Sequence, residues 1–282
     1  MTTRGPALFI HGGAGMHASP DRQQIIRRRL QEALGKGFAH LMKRGALEAV
    51  IVAVRLLEDD PLFNAGTGSS LQEDAKVRMS ASVMDGSTRR FAGVINIERV
   101  RNPVLVARAL LKKEDRILAG IHAERFARRT GFKPWNPVTE ERLRMLREKL
   151  RQPHGTVGAV AVDRRGRLAA ATSTGGKMAS SAGRVSDSAL PAGNYATELA
   201  AISCTGLGED IVDEAVAVRI AQKTADRTAL SKAFAAVFKE LMERKRKLGA
   251  IGVDRLGRLA WSSTLPCLYA AGRSSGRLIE TF

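Results

Sequence analysis

Apolar positions in the first half of the chain change between continuous runs and helical spacing. The run Ala7–Ile10 is typical of a buried strand and ends in His11-Gly-Gly-Ala-Gly15. Apolar residues then recur at helical intervals from Ile26 to Leu41, which predicts an amphipathic helix before a turn-rich stretch at 59–68. Further predicted elements are helices over 46–57, 104–111, 116–129 and 140–150, and strands over 77–83 and 91–97.

The second half is richer in predicted strands. The apolar runs Val157–Asp163 and Leu168–Thr174 flank a short turn, which predicts a β-hairpin. The same order of residues recurs at Gly249–Ala260, and a single recurrence is too little for a solenoid. Between the two hairpins the pattern predicts a strand over 200–204 and helices over 210–223 and 229–245. Strands interrupted by helices in this order favour antiparallel sheet with helices packed outside it.

Composition agrees with a folded globular chain. The 282 residues are 44% hydrophobic and 26% charged, which excludes disordered, fibrous and coiled-coil classes. No apolar run approaches the roughly 20 residues that span a bilayer, and the N-terminus lacks the apolar segment of a secretory signal. Cys204 and Cys267 are too few for a disulfide framework or a cysteine-rich metal site. We therefore expect a cytoplasmic protein without membrane attachment, divided into halves near 152–155.

The charge is unusual, because 46 Lys and Arg against 28 Asp and Glu give a net charge of +18. A positive balance of this size attracts nucleic acid and other polyanions. The basic residues are spread along predicted helices, however, and the aromatic residues do not interleave with them as base-stacking platforms do. Solvated helix faces are therefore favoured over a nucleic-acid interface. A catalytically weak, basic nucleic-acid-binding protein stays open as the alternative.

Several catalytic motifs are excluded by their context. The stretch Gly272–Gly276 matches the G-x-S-x-G pattern, but hydrolases with that motif need a His after the Ser, and none follows His154. No Walker loop or HExxH motif occurs. Thr, Gly, Arg and Asp cluster instead between Gly155 and Glu209. A Thr acts as a nucleophile when its own α-amino group is free, so Thr156 either has this chemistry after a cut at the Gly155–Thr156 bond or opens a hairpin.

Seven stretches of the chain resemble the plant-type asparaginase and isoaspartyl aminopeptidase family of N-terminal-nucleophile hydrolases. The most specific runs from Gly155-Thr156-Val-Gly-Ala-Val-Ala to Thr172-Ser-Thr-Gly-Gly176. The others are His11-Gly-Gly-Ala-Gly15, Pro61-Leu-Phe-Asn-Ala-Gly66, Val83-Met-Asp-Gly86, Arg101-Asn-Pro-Val104, Gly183-Arg-Val-Ser-Asp187 and Thr205-Gly-Leu-Gly-Glu209.

The resemblance implies an α+β fold of the N-terminal-nucleophile hydrolase type, a four-layer αββα sandwich with residues 1–282 in a single domain. The precursor would cut itself between Gly155 and Thr156, leaving an α subunit of residues 1–155 and a β subunit of residues 156–282. Two precursors would pair, giving an (αβ)₂ assembly. The implied activity is hydrolysis of the side-chain amide of L-asparagine, of β-aspartyl dipeptides, or of both, through a β-aspartyl ester on Thr156. No organic cofactor is implied.

The resemblance also implies the catalytic residues. Thr156 is the nucleophile, and the hydroxyl of Thr174 supports it. Thr205 and Gly206 form an oxyanion hole, since a hydroxyl and a backbone N–H stabilise negative charge that develops on the reacting oxygen.

Substrate and ion contacts are implied in the same way. Arg184 binds the α-carboxylate of the small-molecule or dipeptide substrate, because a guanidinium matches a carboxylate bidentately. Asp187 binds the α-ammonium, Gly208 lines the site with Thr205 and Gly206, and Asn64 shapes the adjoining loop. Backbone carbonyls of that loop are candidate ligands for a structural sodium ion, at Leu57, Glu58, Asp60, Phe63, Ala65 and Thr67.

Two departures from the family pattern affect the expected specificity. Ser186 stands where the family usually has Gly, and the segment 177–182 diverges. A related amidase acting on a glycosylated asparagine or on an Asp-containing protein is therefore a competing interpretation.

Overall fold

The computed structural model describes residues 5–148, 155–226, 228–274 and 276–282. Residues 152–154 of the boundary predicted at 152–155, and residues 149–150 of the helix predicted over 140–150, therefore lie outside the described residues. The strands within these ranges are β1 (Ala7–Gly15), β2 (Met79–Asp85), β3 (Arg90–Ile97), β4 (Ile117–Ala119), β5 (Val157–Val162), β6 (Leu168–Thr174), β7 (Asn194–Ala196), β8 (Ala200–Gly206), β9 (Leu248–Asp254), β10 (Leu259–Ser263), β11 (Cys267–Ser274) and β12 (Arg277–Thr281). The helices are α1 (Pro20–Arg44), α2 (Ala46–Glu58), α3 (Pro103–Leu110), α4 (Gly120–Arg129), α5 (Glu140–Arg147), α6 (Gly208–Asp213), α7 (Val216–Ala225) and α8 (Leu230–Glu243).

The strands form two sheets. The first has eight strands in the order β12-β11-β1-β5-β6-β2-β3-β4, and the second has four in the order β10-β9-β8-β7. Neighbouring strands are antiparallel, apart from the parallel pair of β3 and β4. Strand β5 lies in the middle of the first sheet, paired with β1 on one side and β6 on the other. The backbone that follows Thr156 is therefore fixed from both sides.

The central strands of each sheet are covered on both faces, since successive side chains point in opposite directions and nearly all of those on β5, β6, β8 and β9 are buried. Leu8 of β1 packs with α1 and α2, whereas its neighbour Phe9 belongs to a second core cluster with Ile251 of β9. A third cluster joins Ile202 of β8 to Phe234 of α8. Helices and largely antiparallel sheets thus pack together, and the α+β class is confirmed.

Two predicted helices are wrong in their extent. The helix predicted over 210–223 is divided into α6 and α7, because Ala215 has a left-handed backbone with φ 45°. The buried Glu214 at this break receives hydrogen bonds from Arg244 and Arg246, which holds the bend in place. The helix predicted over 116–129 begins at Gly120, and the preceding residues form β4 against β3.

Strands β7, β11 and β12 were not predicted. Strand β11 pairs with β1 and β12, and the pattern-matching stretch that starts at Gly272 lies at the end of β11 rather than before a helix. A Cβ atom added at Gly272 would lie 2.7 Å from the Phe9 ring, so the small residue allows close packing of the strand. Within the described ranges no helix combines the length and apolarity that a membrane span requires.

Candidate active site

The hairpin β5–β6 places two predicted catalytic threonines side by side. Val157 pairs with Ser173, so Thr156 immediately before β5 lies next to Thr174 at the end of β6. The Oγ1 of Thr156 donates a hydrogen bond to the Oγ1 of Thr174 at 3.3 Å. The Thr174 hydroxyl in turn lies 3.4 Å from the carbonyl oxygen of Gly155, to which it donates. One hydroxyl therefore contacts both the predicted nucleophile and the carbonyl of the peptide bond before it.

The second sheet supplies the predicted oxyanion-hole residues at the end of β8. Thr205 is fully buried, and its Oγ1 has no hydrogen-bond partner among the described residues. Gly206 has φ 137°, and a Cβ atom added there would lie 2.6 Å from the Cα of Leu248. A glycine is required at 206 for both reasons, since this backbone conformation and this close approach exclude other side chains.

Arg184 is oriented by a carboxylate that the sequence analysis did not identify. Its Nε and Nη2 donate to the two carboxylate oxygens of Glu209 at 2.7 and 2.9 Å. This bidentate pair lowers the pKa of Glu209 to about 2, chiefly through the hydrogen bonds from Arg184. The third nitrogen, Nη1, lies 3.9 Å from the position of a Cβ atom added at Gly176. Glu209 thus holds the guanidinium in one orientation beside the glycine segment that follows β6.

Asp187 is a buried carboxylate with an unused acceptor. It begins a single 3₁₀ turn, Asp187–Ala189, and its Oδ2 has no hydrogen-bond partner among the described residues. Burial raises its pKa to about 7, against the opposing effects of the Ser186 hydroxyl and of Arg184. Ser186 donates to Oδ1 of Asp187 at 3.1 Å. Because an anionic oxygen here gains from a positively charged donor, the position suits an ammonium group.

These residues surround one small cleft. Of the predicted catalytic and substrate-binding residues, Thr205 does not line it and lies one residue before Gly206 on β8. The cleft holds about 10 Å³ of free volume in the uncut chain, roughly enough for a single water molecule. Its lining residues are Gly155, Thr156, Thr174, Gly176, Lys177, Arg184, Ser186, Asp187, Gly206 and Gly208. An amino-acid substrate does not fit until Gly155 moves away.

Gly208 brings the two charged groups of the cleft close to α6. A Cβ atom added at this position would lie 2.7 Å from Nη2 of Arg184 and 2.9 Å from Oδ1 of Asp187. A larger residue at 208 would therefore displace both groups from their present positions.

Asn64 joins the loop after α2 to the segment after β6. Its side-chain Nδ2 donates to the backbone carbonyl of Gly176 at 2.7 Å. The backbone carbonyl of Asn64 accepts from the N–H of Gly175 at 2.9 Å. Its Oδ1 accepts from the N–H of Ser70 at 2.7 Å. Asn64 lines a neighbouring cavity of about 290 Å³, which shares Gly155 with the cleft.

The loop after α2 offers oxygen atoms but no cluster of metal-binding side chains. It closes on itself through a hydrogen bond of 2.8 Å from the N–H of Thr67 to the carbonyl of Glu58. Among the described residues, no group of three or more His, Cys, Asp or Glu side chains is arranged to hold a metal ion. The Glu58 carboxyl is buried, which raises its pKa to about 8, and it accepts a hydrogen bond of 2.6 Å from Ser173.

Sequence reasoning missed His11 as a site residue. Its ring is fully buried beneath the cleft, and Nδ1 lies 2.9 Å from the carbonyl oxygen of Thr156. The sequence did contain a signal for His11. Alternate residues of a strand share a face, so Ala7, Phe9 and His11 lie on the same face of β1. A polar ring at the end of an apolar face needs a partner across the core.

Comparisons with known proteins agree with this arrangement. A family model described as asparaginase matches residues 4–282. The isoaspartyl peptidase/L-asparaginase of Synechocystis sp. is 42% identical over 98% of this chain and 90% of its own length. The plant-type L-asparaginase of Pyrococcus horikoshii is 39% identical over 91% of this chain and 92% of its own, and the isoaspartyl peptidase/L-asparaginase of Rattus norvegicus is 40% identical over 73% and 67%.

Proposed function

The chain belongs to the asparaginase family and is a hydrolase, and from that premise we propose that it is a self-processing threonine amidohydrolase. Its substrates are L-asparagine, β-aspartyl dipeptides, or both, as the names of its relatives suggest. The observation that carries the proposal is the position of the Thr174 hydroxyl, between the Oγ1 of Thr156 and the carbonyl oxygen of Gly155.

Self-cleavage begins when the Thr156 hydroxyl oxygen attacks the carbonyl carbon of Gly155. The C–N bond breaks, the hydroxyl proton passes to the Thr156 nitrogen, and an ester joins Gly155 to the Thr156 oxygen. Water then hydrolyses this ester to a Gly155 carboxylate and the free hydroxyl. The Thr174 hydroxyl is placed to hydrogen-bond the carbonyl oxygen as negative charge develops on it.

Hydrolysis of substrate uses the amine released by the cut. An α-amino group has a pKa of about 7.7–8.0, so near neutral pH a fraction of it is unprotonated and accepts the Thr156 hydroxyl proton. The hydroxyl oxygen attacks the side-chain carbonyl of the substrate, and the departing ammonia or amine takes up a proton from the Thr156 ammonium. Water activated by the same amine then releases aspartate from the ester.

Substrate orientation follows from the charges around the cleft. The α-ammonium pairs with the carboxylate of Asp187, whose Oδ1 lies beside Gly208 of the cleft and whose buried Oδ2 has no partner among the described residues. The α-carboxylate pairs with Arg184. The developing oxyanion lies at Thr205 and Gly206, where Oγ1 of Thr205 is likewise without a partner among the described residues. These two open groups support a substrate that carries both an ammonium and a polarised carbonyl.

Intact mass spectrometry with N-terminal sequencing tests the proposal. We expect two polypeptides, one beginning Thr-Val-Gly-Ala, followed by release of aspartate from L-asparagine and from β-aspartyl dipeptides. A full-length chain that persists after prolonged incubation would overturn self-processing and favour the basic binding protein. A matured enzyme that spares both substrates but cleaves a glycosylated asparagine or an Asp-containing protein would support the competing amidase.

We also propose the finer architecture and assembly. The three core clusters support four layers, with helices outside each of the two packed sheets. Pairing of two precursors into an (αβ)₂ particle predicts that light scattering gives twice the mass of one chain both before and after cleavage. A mass of one chain would contradict it.

A structural sodium ion is proposed for the loop after α2. The candidate carbonyls are those of Leu57, Glu58, Asp60, Phe63, Ala65 and Thr67, and the closure of the loop between residues 58 and 67 supports this assignment. The ion would stiffen the loop that carries Asn64. Thermal unfolding should occur at a lower temperature when sodium is replaced by choline, and equal unfolding temperatures would contradict the site.

A further inference from the structure

A row of polar residues crosses the first sheet directly beneath the catalytic threonines. His11, Gly158, Thr172 and Ser82 are paired in register across β1, β5, β6 and β2. Two residues further from the cleft on each strand, the corresponding row is apolar and belongs to the core between the sheets: Phe9, Val160, Ala170 and Met84. The polar row therefore separates this core from the cleft.

The second sheet completes the row. Asn194 of β7 and Ser203 of β8 are paired, and both side chains reach across to the first sheet. Ser203 Oγ lies 2.8 Å from Nε2 of His11 and 2.7 Å from Oγ1 of Thr172. Nδ2 of Asn194 donates to Ser82 Oγ at 2.9 Å. Hydrogen bonds thus connect the strand of the nucleophile to the strand that carries Thr205.

The far end of the row reaches the substrate-binding turn. Ser82 Oγ donates to the carbonyl oxygen of Ser188 at 2.5 Å, and Ser188 is the neighbour of Asp187. The row consequently ties together the three parts of the cleft that must keep fixed distances during catalysis: nucleophile, oxyanion hole and ammonium site.

The direction of the hydrogen bonds at His11 follows from its partners. The carbonyl oxygen of Thr156 only accepts, so Nδ1 of His11 must carry a hydrogen. Complete burial lowers the pKa of the ring to about 3, which keeps it neutral and leaves Nε2 as an acceptor. Ser203 therefore donates its hydrogen to Nε2, and the single hydroxyl hydrogen of Thr172 is shared between Ser203 Oγ at 2.7 Å and Oδ1 of Asn194 at 3.1 Å. A single tautomer of His11 satisfies both contacts.

Gly158 provides the space for this arrangement. A Cβ atom added at 158 would lie 2.1 Å from Ser203 Oγ and 2.3 Å from Nε2 of His11. The His11–Ser203 hydrogen bond thus passes through the position that any other side chain at 158 would occupy. Within the row, a glycine at this one place allows the two sheets to be joined.

We propose that His11 is a positioning residue that holds the Thr156 main chain in place for attack, with Ser203 fixing the imidazole ring from the second sheet. The inference rests on the proposed function. Strand β5 begins at Val157, so Thr156 lies before the regular pairing of the strand. After the cut it loses its covalent connection to Gly155. The hydrogen bond from Nδ1 then keeps the new terminal residue beside Thr174.

The test compares His11→Asn with His11→Leu, two side chains of nearly equal size. Asn places an N–H donor near the position of Nδ1, whereas Leu places none, and both lose the contact with Ser203. We expect kcat of matured His11→Leu to fall about 10²-fold, because small displacements of a nucleophile have effects of this size. His11→Asn should retain most of kcat. KM should stay unchanged in both variants, since Arg184 and Asp187 are untouched.

Two results would overturn the proposal. Equal losses of kcat in the two variants would mean that His11 only fills space, and a loss carried mainly by KM would place its effect on substrate binding. The degree of maturation is measured by mass spectrometry in each variant, so that uncut chains are not counted as inactive enzyme.

A second measurement does not depend on activity or on the stability of the His11 variants. Nitrogen-15 NMR of the ring in the wild-type protein and in uncut Thr156→Ala should show a neutral imidazole with the hydrogen on Nδ1, from about pH 5 to pH 8. An Nε2–H tautomer, or a titration within this range, would overturn the positioning role. If the wild-type protein neither cuts itself nor hydrolyses substrate, the proposed function fails, and the NMR result still decides the tautomer.

Discussion

Two hairpins of the molecule have the same turn but different surroundings. In the β5–β6 turn the carboxylate of Asp163 accepts from the N–H of Arg167 at 3.1 Å and from its Nε at 2.7 Å. In the β9–β10 turn Asp254 does the same with Arg258, at 3.0 and 2.6 Å. The recurring sequence thus produces the same local structure twice.

The difference between the hairpins lies in their places within the sheets. Strands β5 and β6 are central in the first sheet and buried throughout, whereas β10 is an edge strand of the second, with Trp261 42% exposed. By the alignment of the repeat, Lys247 stands at the position of Thr156. The comparison teaches that the turn specifies a hairpin, and that catalytic chemistry depends on what surrounds the strand ends.

The largest expected effect distinguishes Thr156, which precedes β5, from Lys247, which precedes β9. Thr156→Ala should abolish self-cleavage and lower hydrolysis by about 10⁴-fold or more, because it removes the attacking oxygen. Lys247→Ala, at the matching position of the second hairpin, should leave both unchanged. Mass spectrometry and an ammonia-release assay measure the two variants. Residual cleavage in Thr156→Ala would show that another group attacks the bond.

The next largest effect is expected at the threonines near the ends of β6 and β10, Thr174 and Thr264. Thr174→Val keeps the shape of the side chain but removes the hydroxyl beside the Gly155 carbonyl, so cleavage should slow by about 10²-fold. Thr264, in the second hairpin, donates to the carbonyl of Arg246 and accepts from the N–H of Leu248. Thr264→Val should cost about 1–2 kcal/mol of stability without slowing cleavage. Equal cleavage rates in both variants would contradict the role given to Thr174.

A pH dependence of KM is expected from Asp187, which lines the cleft beside the β5–β6 hairpin. The pKa of Asp187 is raised to about 7 in the uncut chain, and only its carboxylate form attracts the substrate ammonium. KM should therefore fall as pH rises through this range and level off above it, as steady-state kinetics would measure. Ser186→Gly removes a hydrogen bond that lowers the pKa, which should move the KM profile to higher pH. A KM profile that moves to lower pH in Ser186→Gly would contradict this account.

The smallest effect distinguishes the two turns themselves. Gly166 and Gly257 have positive φ values of 76° and 81°. Gly166→Ala should cost about 1–2 kcal/mol from backbone strain, since no atom lies within 4 Å of its added Cβ. Gly257→Ala should cost more, because its Cβ would lie 2.4 Å from the carbonyl oxygen of Gly5. Urea unfolding measures both costs. Equal costs would mean that the surroundings of the turns are unimportant, and a larger cost for Gly166→Ala would contradict the predicted clash at Gly257.

Local patterns predicted the hairpins well. The runs 157–163 and 168–174 match β5 and β6 within one residue, because apolar runs and an Asp-x-x-Gly turn act over a few neighbouring positions. The break at Ala215 was not predictable in this way. It depends on Glu214 meeting arginines about 30 residues later in the chain. Strand β4 likewise exists because β3 is beside it.

Thr156, the proposed nucleophile, illustrates how far the sequence predicts the site. From the chemistry of the residues alone, Thr156 was either a nucleophile or the first residue of a hairpin. The resemblance to a family indicated that it is the nucleophile. The resemblance likewise supplied the roles of Arg184 and Asp187, but it gave no sign that Glu209 orients the guanidinium.

By itself the sequence determined the hairpins, most helices and the positions of Thr156 and Thr174 at strand ends, because each follows from the period of nearby side chains. Only the tertiary structure decided that His11 contacts Thr156 and Ser203, which lie 145 and 192 positions away. Such contacts depend on the order of strands in a sheet and on which faces of two sheets meet. Both are set by the packing of the whole core rather than by any local pattern.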